Sequence, residues 1–226
     1  MVIMRNLFFL LISTAALAHA TPPARIEIAY EMTRNDMTMA ETREQLEHSS
    51  GRYQLTETWS GKGLFALMGT IKRTSRGDIT AHGSRPREFT DERTGRETAR
   101  AWFDWEAKTL TMQYTDPPRV EPLPPDAQDR LSFLLALSFL PGRAKTAGFA
   151  IFDGKGQSRH EYRVAGRERL KTPAGEFDTV VVERTSGNDA ARLWLAAELG
   201  HLPVRLLVVQ KDGTRLDQVA IRITRP

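Results

Sequence analysis

The chain has 226 residues, of which 32 are Lys or Arg and 28 are Asp or Glu, and it contains no cysteine. The net charge of +4 comes from interspersed opposite signs, with no basic block and no RNA-binding aromatic signature, so a nucleic-acid partner is excluded. Without thiols there are no disulfides, and the apolar core alone must stabilise the chain.

Export is what the first residues predict. Arg5 supplies a positive n-region, Leu7–Leu17 an apolar h-region, and Ala18-His19-Ala20 a small-x-small cleavage site before Thr21. The run Leu7–Leu17 is shorter than the roughly 20 apolar residues that span a bilayer. No cysteine follows it, so lipid attachment is not expected. The reading is a cleaved signal peptide over residues 1–20 and a soluble periplasmic protein over residues 21–226, as one β-rich domain.

Strands dominate the rest. In residues 25–32, Ile26, Ile28, Tyr30 and Met32 alternate with Arg25, Glu27, Ala29 and Glu31, which is a strand with one wet side. Asn35-Asp36 turns into a more polar strand over 37–48, and Ser49-Ser50-Gly51 turns again into a strand where Tyr53 and Leu55 share a face. Gly61 and Gly63 flank a tight connection into a strand over 64–74. Residues 79–92 continue the strand pattern more weakly, the charges crowding 85–100 read as a solvated hairpin tip, and Ala101, Phe103 and Trp105 lie on one face of the next strand. Prolines 117, 118, 122, 124 and 125 then rule out a central strand.

That crossing delivers the chain to the one long helix signal, at about 126–140. Asp126 stands at the N-cap, Asp129 adds charge to the first turn, and Pro141-Gly142 closes the segment. Leu131, Phe133, Leu134, Leu135, Leu137, Phe139 and Leu140 project all round the axis, so the helix must be enclosed. Strands resume over 149–152, 161–170, 177–184, 191–196, 204–210 and 215–224, with Val180-Val181-Val182 covered on both sides and Asp212-Gly213 as a hairpin turn. The expected fold is mostly β: a single curved antiparallel sheet, an unclosed barrel, wrapped around one buried helix.

Chemistry is scarce. His48, His82, His160 and His201 are far apart without metal-ligand spacing, and neither a GxSxG elbow nor an SxxK motif occurs. No metal site, cofactor or enzymatic activity is expected. Asp104 and Glu106 share a strand face as a hydrolase's carboxylates would, but at that spacing they read as solvated. Asp126, Asp129 and Arg130 are a candidate structural polar cluster at the helix start. What remains is apolar capacity: Trp59, Phe65, Phe103, Trp105, Phe133, Phe139 and Trp194 are the candidate lining of a cavity between sheet and helix. The favoured function is binding of a lipid-like or peptide ligand. The alternatives are an envelope protein–protein adaptor, using a sheet edge or the charged stretch 85–100, and a carboxylate-dependent hydrolase.

Several stretches carry a resemblance. Phe103-Asp104-Trp105, the run Gln128-Asp129-Arg130-Leu131-Ser132, and Trp194-Leu195 with Leu199-Gly200-His201-Leu202-Pro203-Val204-Arg205 resemble an exported bacterial family, domain of unknown function 3108. Gly51-Arg52-Tyr53 and Thr172-Pro173-Ala174-Gly175 add to it. Ala197 stands where the pattern leads one to expect proline. The resemblance implies an architecture similar to the unclosed barrels of periplasmic lipoprotein carriers, and it brings no activity and no catalytic residue.

Overall fold

The computed structural model describes residues 22–141 and 144–225. The leader expected over 1–20 lies outside them, as does Gly142 of the expected helix stop. The strands are β1 (Arg25–Arg34), β2 (Met37–Ser49), β3 (Arg52–Gly61), β4 (Thr70–Thr80), β5 (Gly83–Arg93), β6 (Ala99–Asp104), β7 (Thr109–Gln113) and β8 (Arg119–Pro122). After these come β9 (Ala127–Asp129), β10 (Thr146–Phe152), β11 (Gln157–Thr172), β12 (Gly175–Arg184), β13 (Ala190–Ala196), β14 (Leu202–Val209) and β15 (Arg215–Thr224).

All fifteen join one sheet in the order β8-β7-β6-β5-β4-β3-β2-β1-β15-β14-β13-β12-β11-β10-β9. Within the sheet, the two halves are joined only where β1 pairs with β15. The sheet is not closed into a barrel: β8 and β9 are its edges, four and three residues long, and such short edges resist pairing with foreign strands. One pairing departs from the antiparallel expectation, because β9 runs parallel to β10, with Ala127 opposite Ala150 and Asp129 opposite Phe152.

Alternation decides which side chains enter the core. On β1, Ile26, Ile28 and Tyr30 are buried; on β2, Thr42, Glu44 and Leu46; on β3, Tyr53, Leu55, Glu57 and Trp59. The register aligns these into rungs. One runs Ile26, Leu46, Leu55, Ser75, Phe89, Ala101 and Met112 across seven strands. The next runs Ile28, Glu44, Glu57, Arg73 and Asp91. An apolar rung thus lies beside an ionisable one on the same face.

The helix is shorter than its signal. Ala127–Asp129 is strand β9, and α1 covers Ser132–Ser138 only. Asp126 does not cap it; its carboxylate meets Arg159 at 2.8 Å instead. Asp129 takes the capping role, because its Oδ1 accepts the N–H groups of Leu131 and Ser132, each at 2.8 Å. The side chain competes for the backbone that a longer helix would use, so the chain is extended before it and helical after it.

No residue from 131 to 140 is exposed. Leu131 and Leu135 share an apolar cluster with Ile28, Phe89 and Val204, while Leu134 and Leu137 pack with Val182, Leu193 and Leu195. Strands remote in the sheet order therefore meet at one helix.

Two further expectations are corrected. The solvated tip read over 85–100 is confined to the exposed turn at 94–97: Gly83–Arg93 is strand, as the weaker pattern over 79–92 suggested, with Phe89 and Asp91 buried and Arg85 and Arg87 exposed. The strand expected from residue 64 begins at Thr70, after a 3-10 turn over Gly63–Met68.

Register also sorts the turns by end. The 3-10 turn, the β1–β2 turn, the β14–β15 turn and the β10–β11 turn lie at one end. The β2–β3 and β4–β5 turns, Arg25 and Thr224 lie at the other.

Candidate functional site

Two cavities open at the two ends of the sheet. The first, about 920 Å³, adjoins the β4–β5 turn. Ala136, Phe139 and Leu140 line it from the helix segment, and Trp105, Leu123 and Phe149 face them. Cations stand at its margin: the Arg85 guanidinium lies 4.7 Å over the Trp105 ring, with Lys108 and His82 nearby. Trp105 is fixed from its other side, its indole N–H donating to the carbonyl of Pro86 at 2.6 Å.

The second cavity, about 700 Å³, opens at the 3-10 turn's end, with Met32, Lys155 and Gln210 at its mouth. Phe133, Leu134, Ile151 and Leu206 give it an apolar wall, and the ionisable rung gives it a charged one. Glu44 and Glu57 are directly opposite on β2 and β3, and Arg73 forms ion pairs with Glu57 and, at 3.4 Å, with Asp91. Arg93 closes the row, 2.7 Å from Asp91. Although burial pushes the Asp91 carboxyl up, Arg93 and Arg73 hold it below the usual carboxylate range.

Glu44 has no such cation. Burial, with the neighbouring Glu57 charge, pushes its carboxyl up to about 8. Its oxygens lie 3.4 Å from the Tyr30 hydroxyl and 3.3 Å from the Gln218 amide. The folded state therefore keeps a proton that the unfolded chain releases. Stability from this group is full at acid pH and is lost as pH rises from the usual carboxylate range through about 8. Glu44→Gln should remove that loss and raise stability by about 1–3 kcal/mol above the folded-state pKa. Urea midpoints for both proteins, from mildly acid to mildly alkaline pH, check it; parallel curves refute it.

The seven candidate lining residues do not share one site. Trp105 and Phe139 line the first cavity and Phe133 the second, where its ring stacks on Tyr162 with centroids 6.1 Å apart. Phe103 is core, against Phe152 and Trp105 at 6.2 and 6.5 Å. Trp59 is buried on β3, and Phe65 is half-buried in the 3-10 turn. Trp194 points to the face of β13 opposite Leu193 and Leu195, with Arg192 and Arg205 over its ring at 5.0 and 4.7 Å.

The proposed polar cluster separates too: Asp126 pairs with Arg159, Asp129 is fully buried, and Arg130 lines the second cavity. Asp104 and Glu106 are exposed beside a depression of about 380 Å³, and Asp104 Oδ1 accepts turn N–H groups from Glu106 and Ala107 at 3.0 and 2.9 Å. The residues missed by sequence reasoning are Glu44, Glu57, Arg73 and Asp91. Their signal was parity, since Glu57 has the phase of Tyr53 and Leu55.

Fold and cavities together define a class: a mostly β protein with one large unclosed sheet, few helices, and apolar space at both ends of its interior. No helix among the described residues is long and apolar enough to cross a membrane. The chain belongs to the family described as Protein of unknown function (DUF3108), which it matches over residues 28–219. No curated protein matches it. Among solved structures it is similar to a protein described as a lipoprotein from Parabacteroides distasonis ATCC 8503, with a TM-score of 0.40 and 10% identity over 90% of this chain and 97% of that one. It is also similar to a protein described as exported, with a YmcC-like fold, from Bacteroides fragilis NCTC 9343: TM-score 0.40, 10% identity, 92% of this chain and 99% of that one.

Proposed function

We propose that this is an exported, periplasmic, non-enzymatic protein that binds an apolar, lipid-like ligand between its curled sheet and the helix it wraps, much as a lipoprotein carrier would. The first cavity carries the reading. Its volume of about 920 Å³ suits a chain-like ligand, and Trp105, Phe139, Leu140 and Phe149 offer it an apolar bed. Arg85 and Lys108 at the margin suit an anionic head group. Affinity comes from removing ligand surface from water, about 25 cal/mol per Å², against the cost of ordering the ligand.

The test is native mass spectrometry of protein isolated from its own host. A co-purifying apolar molecule is expected, and Ala136→Phe, which fills the cavity from the helix, should cut its occupancy about tenfold. Protein that is empty and also fails to bind a fluorescent fatty acid refutes the reading. One observation favours a second reading, carboxylate-dependent hydrolysis: Glu44 and Glu57 form a buried acid pair within a cavity, as Asp104 and Glu106 do not. Loss of a hydrolytic activity in Glu44→Gln, with ligand binding intact, would establish it.

A further inference from the structure

The 3-10 turn Gly63–Met68 holds apolar side chains out into solvent on a rigid support. Leu64, Leu67 and Met68 are 86%, 89% and 65% exposed, and no residue of the turn is buried. Met37, 63% exposed, belongs to the same end of the sheet, and the Lys62 N–H donates to the carbonyl of Met39 at 2.9 Å. The turn is pinned at both ends. A Cβ on Gly61 would sit 2.0 Å from the carbonyl oxygen of Phe65, so the chain doubles back there as only glycine allows. Gly69, at φ +76°, backs onto Thr94, whose Oγ1 accepts the Thr70 N–H at 3.0 Å. A braced turn cannot fold its leucines inward, and contiguous exposed apolar surface of this kind marks an interaction site.

Three observations select a lipid surface as the occupant. The turn is a convex tip between β3 and β4, both already paired on each side, so a partner strand has no edge to join. Lys62, Lys72 and Arg96 are exposed around it, although Lys62 shares Glu41 with Arg43. Lastly, the tip stands at the end where the second cavity opens, and Arg130 in that cavity reaches no carboxylate at ion-pair distance among the described residues.

We propose that this end of the protein docks on an anionic lipid surface, with Leu64, Leu67 and Met68 inserted among the head groups and the second cavity facing the bilayer. The inference stands apart from the ligand reading, whose cavity opens at the opposite end of the sheet, and its test needs no ligand. Because the chain has no cysteine, Leu67→Cys creates one labelling site for an environment-sensitive fluorophore, and Ser49→Cys another at the opposite end. In the full chain, vesicles of phosphatidylglycerol and phosphatidylethanolamine should shift the emission of the label at 67 to the blue, and nitroxide lipids should quench it. The label at 49 should not respond. The triple variant Leu64→Ser, Leu67→Ser, Met68→Ser should lower the vesicle-bound fraction about tenfold. A label at 67 that ignores vesicles overturns the proposal, as do equal responses at both sites. A concentration-dependent shift without lipid overturns it too, by assigning the tip to a second copy. Protein empty of ligand whose label at 67 still shifts sinks the ligand reading and leaves this one standing.

Discussion

Asp129→Ala is expected to lower the unfolding free energy by about 3–5 kcal/mol. The carboxylate is fully buried and accepts from three donors: the Ser75 hydroxyl at 2.6 Å and the N–H groups of Leu131 and Ser132. Removing it strands two backbone donors where no water reaches, each costing about 1–3 kcal/mol. It also unties β4 from the helix entry, because Ser75 lies on β4. Asp129→Asn keeps one acceptor and should cost about 1–2 kcal/mol. Burial pushes the Asp129 carboxyl up to about 6 in spite of those donors. The stability it adds therefore falls as pH rises from the usual carboxylate range through about 6, and the Asn variant should lack that fall. Urea denaturation across that range measures both effects, and an Ala variant within experimental error of wild type would refute the assignment.

Arg73→Met should cost about as much, ~3–5 kcal/mol, by a different route. Arg73 is the only cation of the inward rung that touches two carboxylates, Glu57 and Asp91. Methionine fills much of its volume, so packing alone predicts a small change. The loss comes from charge: Glu57 is left buried beside Glu44, whereas Asp91 keeps Arg93. The double variant Arg73→Met with Glu57→Gln should recover about 2 kcal/mol of the loss, because no unpaired charge remains at that rung. A double variant no more stable than the single one rejects this account and points to packing.

The strands were legible because their alternation is local. Ile26, Ile28 and Tyr30 announce a buried face without knowledge of any partner. The strand-rich composition, the hairpin turns and the family pattern all rest on such short-range signals. The site was less legible, because its members come from separate strands. Glu44, Glu57, Arg73 and Asp91 lie far apart in sequence and become neighbours only through register, which no single strand encodes. Exposed Arg85 and Arg87, with the turn charges beyond residue 93, made the end of β5 read as a solvated tip, since exposed arginines suit a strand's outer face as well as a turn. The helix was overextended for another reason. The apolar run from Leu131 to Leu140 is real, but whether Asp126 or Asp129 begins it depends on the parallel partner β10, far downstream.

The meeting of β1 with β15 bears on how the protein is made. Until the final residues arrive, the amino-terminal meander can form its own hairpins but leaves one flank of β1 with unsatisfied amides and carbonyls. The later meander carries the matching open flank on β15. Assembly is therefore a late, long-range event joining two preformed halves, which folds slowly and leaves both flanks open to neighbouring chains in the interval. A nascent copy halted before Arg215 lacks the strand that pairs with the open flank of β1, so Arg215–Thr224 is the piece whose delay exposes the chain to aggregation.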